Sequence, residues 1–104
     1  MSVIHEIAEQ RPFLEPLCRE LGVARLEVFG SATTGEFRSD SDIDFLVEFD
    51  ADTVASRYAD RYFGLLEALE QLFERPVDLI VFSAVRNPFF RESVQRTRTL
   101  LYAA

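Results

Sequence analysis

Residues 30–49 read GSATTGEFRSDSDIDFLVEF, and the fold is decided there. Gly30-Ser31 is followed, after ten residues, by Asp42-Ile43-Asp44 at the head of the apolar run Phe45-Leu46-Val47. Side chains along a β-strand alternate between faces, so Asp42 and Asp44 point one way while Ile43, Phe45 and Val47 point to a core. Two carboxylates on one face can share divalent metal ions. Asp78 lies in a second strand-like run, Val77-Asp78-Leu79-Ile80-Val81-Phe82, and meets the pair if the two strands are neighbours in one sheet. Three converging carboxylates suit a two-metal site. Gly30, with no side chain, lets the backbone approach a phosphate closely. Its amide and that of Ser31 can donate to the anion, and the Ser31 hydroxyl adds a third donor.

Outward from this stretch the chain alternates helices and strands, an α/β (α+β) pattern with a small mixed sheet and helices packed on it. Residues 3–21 read as helical, in two pieces around Pro12 and Pro16, with Ile4, Ile7, Leu14, Leu17 and Leu21 as apolar contacts and Gly22 as the stop. A first strand is expected over 25–29, a loop with helical turns over 30–41, and a second strand over 42–49, closed by the polar turn Asp50-Ala51-Asp52. The spacing of Tyr58, Tyr62, Leu65, Leu66, Leu69, Leu72 and Phe73 predicts a helix over 53–74, ended by Pro76, and places the tyrosines and phenylalanines of 58–73 in the core. The third strand follows over 77–82. Asn87-Pro88 supplies an N-cap and a proline at the first helical position for a final helix to Arg98, and residues 100–102 extend or cover a sheet edge.

The order Gly-Ser, ten residues, Asp-x-Asp, then a later strand-borne Asp resembles the signature of the DNA polymerase beta type nucleotidyltransferase superfamily. The stretch GSATTGEFRSDSDIDFLVEF and the shortness of the chain resemble the minimal nucleotidyltransferase (MNT) domains found beside HEPN proteins in toxin-antitoxin pairs. The likeness spans residues 25–82, and residues 83–104 are similar to the tail of stand-alone members. It implies that Gly30 and Ser31 hold the outer phosphates of a nucleotide and that Asp42, Asp44 and Asp78 hold magnesium, two ions in all. The reaction implied is attack by an acceptor hydroxyl on the α-phosphorus of ATP, and the acceptor implied is a tyrosine of a HEPN toxin. Close minimal relatives often carry Arg-Gly in the loop after Gly-Ser. This chain has Thr34-Gly35, which leaves Arg38 as the candidate positive contact to the phosphates.

Composition narrows the alternatives. A chain of 104 residues with 48% hydrophobic content fits one domain, 1–104. The first ten residues lack a basic head and an apolar stretch, and no run approaches the ~18 to 20 apolar residues that span a bilayer, so a cytoplasmic protein is expected. The single Cys18 excludes an internal disulfide and a cysteine zinc cluster, and its setting reads as a small buried apolar residue. A formal charge of −7, no lysine and eleven scattered arginines argue against a surface that tracks nucleic acid. One small anion can still bind an acidic protein when metal ions neutralise the site.

Each signal also has a bland reading. Gly-Ser alone is a common turn, Ser39-Asp40-Ser41-Asp42 alone is a cap, Asp78 alone is an ordinary strand start, and His5 is surface or packing. Asp40 has the wrong parity to join Asp42 and Asp44. Their order and spacing together are what carry the reading. Only 22 residues follow the third strand, too few for the added domain that antibiotic-modifying or RNA-extending relatives carry, so the acceptor's wall is expected from a partner, a second copy or the target. Three functions stay open at this point: an antitoxin that nucleotidylates its partner, a binding-only antitoxin or subunit, and a free-standing small-molecule nucleotidyltransferase.

Overall fold

The computed structural model describes residues 3–30, 42–50, 55–82 and 86–104, with the side chains of 3–5 and 55–58 left out. Its elements are α1 (Val3–Glu9), α2 (Arg11–Glu20), β1 (Val23–Phe29), β2 (Ile43–Phe49), α3 (Ala55–Phe73), β3 (Val77–Val81), α4 (Pro88–Thr97) and β4 (Thr99–Ala103). The four strands form one sheet in the order β3-β2-β1-β4. β1 pairs antiparallel with β2 and with β4, whereas β2 and β3 run parallel. A parallel pair needs a crossover, and the helix α3 between β2 and β3 supplies it.

The sheet has two unlike faces. One carries Leu26 and Val28 of β1, Ile43, Phe45 and Val47 of β2 and Leu79 of β3, and it packs with Ile7, Leu14, Cys18, Leu65 and Leu69 of the first three helices into the main core. Leu65 and Leu69 are fully buried, each worth about 1.5–3 kcal/mol of burial. The other face holds a smaller cluster of Phe29, Leu46 and Val94, with Ile80 and Phe82 packed against it. Val94 is the buried residue that α4 contributes.

Local signals explain the boundaries. The amino-terminal helical segment divides at Gln10, with Pro12 in the first turn of α2 and Pro16 inside it. Gly22 has φ +70, the left-handed conformation that ends a helix. Asn87 caps α4 as expected, its side chain accepting from the Phe89 and Phe90 amides at 2.9 and 3.3 Å. β1 begins at Val23, two residues earlier than expected, because a bulge between Val23 and Arg25 lets the strand continue past an irregular register. Residues 99–103 form a full edge strand on β1. One expectation fails: Phe63 is 58% exposed and not core. It follows Tyr62 by one position, about 100° around the helix from a residue packed against the core. The expected loop over 31–41, with Ser31, Thr34, Gly35, Arg38 and Asp40, lies outside the described residues, as does the side chain of His5.

Candidate functional site

The parallel register sets Ile43 beside Val77, Asp44 beside Asp78 and Phe45 beside Leu79. The two strands are therefore neighbours, the condition on which the third carboxylate depended. Beside the strand ladder itself, three hydrogen bonds fix β3 against the start of β2 and against α3. The Ile43 amide donates to the Pro76 carbonyl at 3.2 Å, the Val77 amide to the Glu70 carboxylate at 3.3 Å, and the Tyr62 hydroxyl to the Leu79 carbonyl at 2.5 Å. Glu70 and Tyr62 both stand on α3, so the crossover helix grips β3 on either side of Asp78. The sequence marks neither as a site residue, since their role depends on which strand α3 lies against.

Asp42 precedes β2 by one residue and is exposed, Asp44 is half-buried, and Asp78 is exposed. Burial pushes the Asp44 carboxyl up to about 6, and the charges of Asp78 and Asp42 push it the same way. All three acids thus act in one field. Among the described residues no three His, Cys, Asp or Glu side chains are gathered closely enough to hold a metal ion as they stand. The donor set still fits a divalent cation, because like-charged hard oxygens with one carboxyl driven toward protonation are the environment that a bound cation relieves.

Gly30 abuts this cluster. The pairing of β1 with β2 sets Phe29 opposite Asp44, so the turn that follows Phe29 comes against that carboxylate. Gly30 has φ +74, and a Cβ placed there would lie 2.6 Å from Asp44 Oδ2. Conformation and space both call for glycine. Its amide donates to Thr97 Oγ1 at 3.0 Å. The end of α4 thus engages, in this structure, the amide that the sequence reading assigns to a phosphate.

The same sheet face holds a second charged group that sequence reasoning missed. Glu27 is only 3% exposed, yet it accepts from Arg98 Nε at 2.7 Å, Arg98 Nη2 at 2.5 Å and Arg25 Nε at 2.6 Å. Hydrogen bonding from Arg98 holds its carboxyl below the usual range, against the opposing effect of burial. Arg98 and Arg91 both lie over the Phe82 ring, at 4.5 and 4.8 Å from its centroid. A recess of about 710 Å³ opens at the other edge of the sheet, between Arg11, Glu15 and Arg19 of α2 and the strand β4. It contains none of the three carboxylates.

Residues 11–101 match the family model of the nucleotidyltransferase domain. A Methanocaldococcus jannaschii protein named "Putative protein adenylyltransferase MJ1379" is 34% identical over 96 residues, covering 91% of this chain and 94% of the relative. The protein adenylyltransferase MntA of Thermococcus cleftensis is 35% identical over 71 residues, 68% of each chain. A solved structure described as a "putative minimal nucleotidyltransferase" superposes with a TM-score of 0.68 at 32% identity, covering 95% of both chains. The fold is also that of a chain in the complex of a tri-AMPylated Shewanella oneidensis HEPN toxin with an MNT antitoxin, at a TM-score of 0.61 and 20% identity, over 94% of this chain and 73% of that one. No helix among the described residues is long and apolar enough to cross a membrane. With its carboxylates and its Gly30 turn in this arrangement, and with the domain model and relatives matching along nearly its whole length, the chain belongs to the nucleotidyltransferase domain family.

Proposed function

We propose that this protein transfers AMP from ATP to a tyrosine hydroxyl of a HEPN partner, acting as an antitoxin, with Asp42, Asp44 and Asp78 as its catalytic and magnesium-holding residues. The observation that carries the reading is the parallel register that puts Asp44 beside Asp78, with Gly30 against Asp44. Support for the donor and the acceptor comes from relatives named protein adenylyltransferases and from the fold shared with an antitoxin in complex with an AMPylated HEPN toxin.

The residues divide the work. Asp44 and Asp78 present oxygens from adjacent strands, and Asp42 adds a third group on the same face, two residues before Asp44. Magnesium, when bound, supplies Lewis-acid stabilisation of the attacking and leaving oxygens. Gly30 keeps the space beside Asp44 clear of a side chain. Ser31 and Arg38 are the groups we assign to the outer phosphates, by amide, hydroxyl and guanidinium. The acceptor hydroxyl loses its proton to water as its oxygen bonds to the α-phosphorus, and the bond from that phosphorus to the bridging oxygen breaks so that pyrophosphate leaves.

A binding-only antitoxin is the second reading, favoured by Thr34-Gly35 standing where close minimal relatives often carry Arg-Gly, a charged phosphate contact. One experiment separates the two. The HEPN partner is incubated with this protein, ATP and magnesium, and its intact mass is measured. Gain of mass in units of AMP, abolished by Asp78→Asn without loss of the complex, is the expected result. An unchanged partner mass with its RNase activity nonetheless suppressed would leave binding as the function.

A further inference from the structure

We propose that Thr97 is a positioning residue for nucleotide binding, its hydroxyl holding the Gly30 turn beside Asp44. The proposal rests on the reading of Gly30-Ser31 as the phosphate turn. Its grounds are independent of the carboxylates. Gly30 stands at φ +74, a conformation that a free loop leaves readily, and its amide donates to Thr97 Oγ1 at 3.0 Å. The hydroxyl lies within reach of two carbonyls of its own helix, Ser93 at 3.3 Å and Val94 at 3.5 Å. The hydroxyl proton is therefore directed back into α4, and the oxygen's lone pairs face Gly30.

The next residue completes the hold. Arg98 caps α4 and binds Glu27 through two nitrogens, so adjacent residues tie the end of α4 to β1 at two points three residues apart, Glu27 and Gly30. Glu27 is buried and Arg98 is stacked on Phe82, which makes this end of α4 a fixed post and not a swinging arm. A turn fastened to such a post meets the nucleotide already ordered, and that spares the entropy of ordering it on binding. On this account the Gly30 amide stays with Thr97 when the nucleotide arrives.

The test compares Thr97→Val, which keeps the β-branched shape and removes the acceptor, with Thr97→Ser, which keeps the hydroxyl. Affinity for ATP with magnesium is measured by calorimetry, and melting temperatures are recorded alongside. Loss of one neutral hydrogen bond predicts a Kd about fivefold to tenfold weaker for the valine variant and within about twofold of wild type for the serine variant. A lower melting temperature with unchanged Kd in the valine variant would mean a purely structural role and overturn the proposal. A tighter Kd would overturn it too, showing that Thr97 competes with the phosphate for the amide. Should the valine variant not fold, hydrogen exchange of the Gly30 amide in wild type decides: protection retained with ATP and magnesium bound supports the proposal, and protection lost on binding refutes it. Wild type that binds no nucleotide removes the underlying reading as well, whereas wild-type binding matched by the valine variant removes this inference alone.

Discussion

Asp44→Asn should stabilise the metal-free protein at neutral pH while destroying its nucleotide binding. The Asp44 carboxyl titrates at about 6 in the folded protein against 3.8 unfolded, so the folded state favours the protonated form. A raised carboxylate pKa contributes no penalty below the unfolded value, loses stability as pH climbs through the interval, and bears the full cost above the folded value. At about 1.4 kcal/mol per unit the displacement corresponds to about 3 kcal/mol, which solvent screening of a half-exposed group reduces to about 1–2 kcal/mol. Asparagine keeps the shape and removes the charge. For a domain of this size the gain is about 5–10 °C in melting temperature above pH 7, shrinking to nothing near pH 4. The assay is thermal unfolding of both proteins in a chelator across that range, read as the difference between them so that other titrations cancel. Magnesium with ATP should then raise the melting temperature of wild type and leave the variant nearly unmoved. A variant less stable than wild type at pH 7 by the same margin as at pH 4 would refute the electrostatic account, since a pH-independent loss marks a packing defect.

Other outcomes follow from the same geometry. Gly30→Ala meets both a left-handed backbone, about 1–2 kcal/mol, and the Asp44 carboxylate 2.6 Å from the new Cβ. Calorimetry should show nucleotide binding lost in a protein that still melts cooperatively. Glu27→Gln should cost about 2–4 kcal/mol in denaturant unfolding at pH 7, because it leaves Arg98 facing an uncharged partner. Its folded pKa is depressed, so the wild-type advantage is present above the ordinary glutamate range and fades as pH falls through the folded value. Cys18 is fully buried and its thiol is pushed up to about 12, so a thiol reagent should label it only as fast as the protein unfolds.

What was legible in the sequence is what depends on local period. Alternation places Asp42 and Asp44 on one face and Ile43, Phe45 and Val47 in the core, and the structure buries those three. Helical spacing likewise finds Leu65 and Leu69, whereas Phe63, about 100° around the helix from Tyr62, is exposed. The neighbourhood of Asp44 and Asp78 is not readable from period, which says nothing of strand order. A helix lying between β2 and β3 is the one local clue to it, as a crossover permits parallel pairing.

Glu27, Arg98 and Thr97 escape notice for one cause, which is α4. Glu27 alternates with Leu26 and Val28 and so reads as the solvent side of a half-buried strand; it is buried because α4 lies across that face. Its partner Arg98 is 71 positions away, and Thr97 is 67 from Gly30. The helix carries a short apolar signal, Phe90 and Val94 four positions apart, but nothing in it says which residues of the sheet it covers. Beside the packing of Val94 on Phe29 and Leu46, what fastens it is Arg98 on Glu27, Thr97 on Gly30, two guanidiniums over Phe82 and an edge contact between Phe29 and Phe90. Polar contacts between residues so far apart in the chain leave no mark in hydrophobic periodicity, which detects burial only where it repeats. Such anchoring also has a functional logic: directional bonds fix an end of a helix more narrowly than apolar packing does, and the end they fix is the one beside the Gly30 turn.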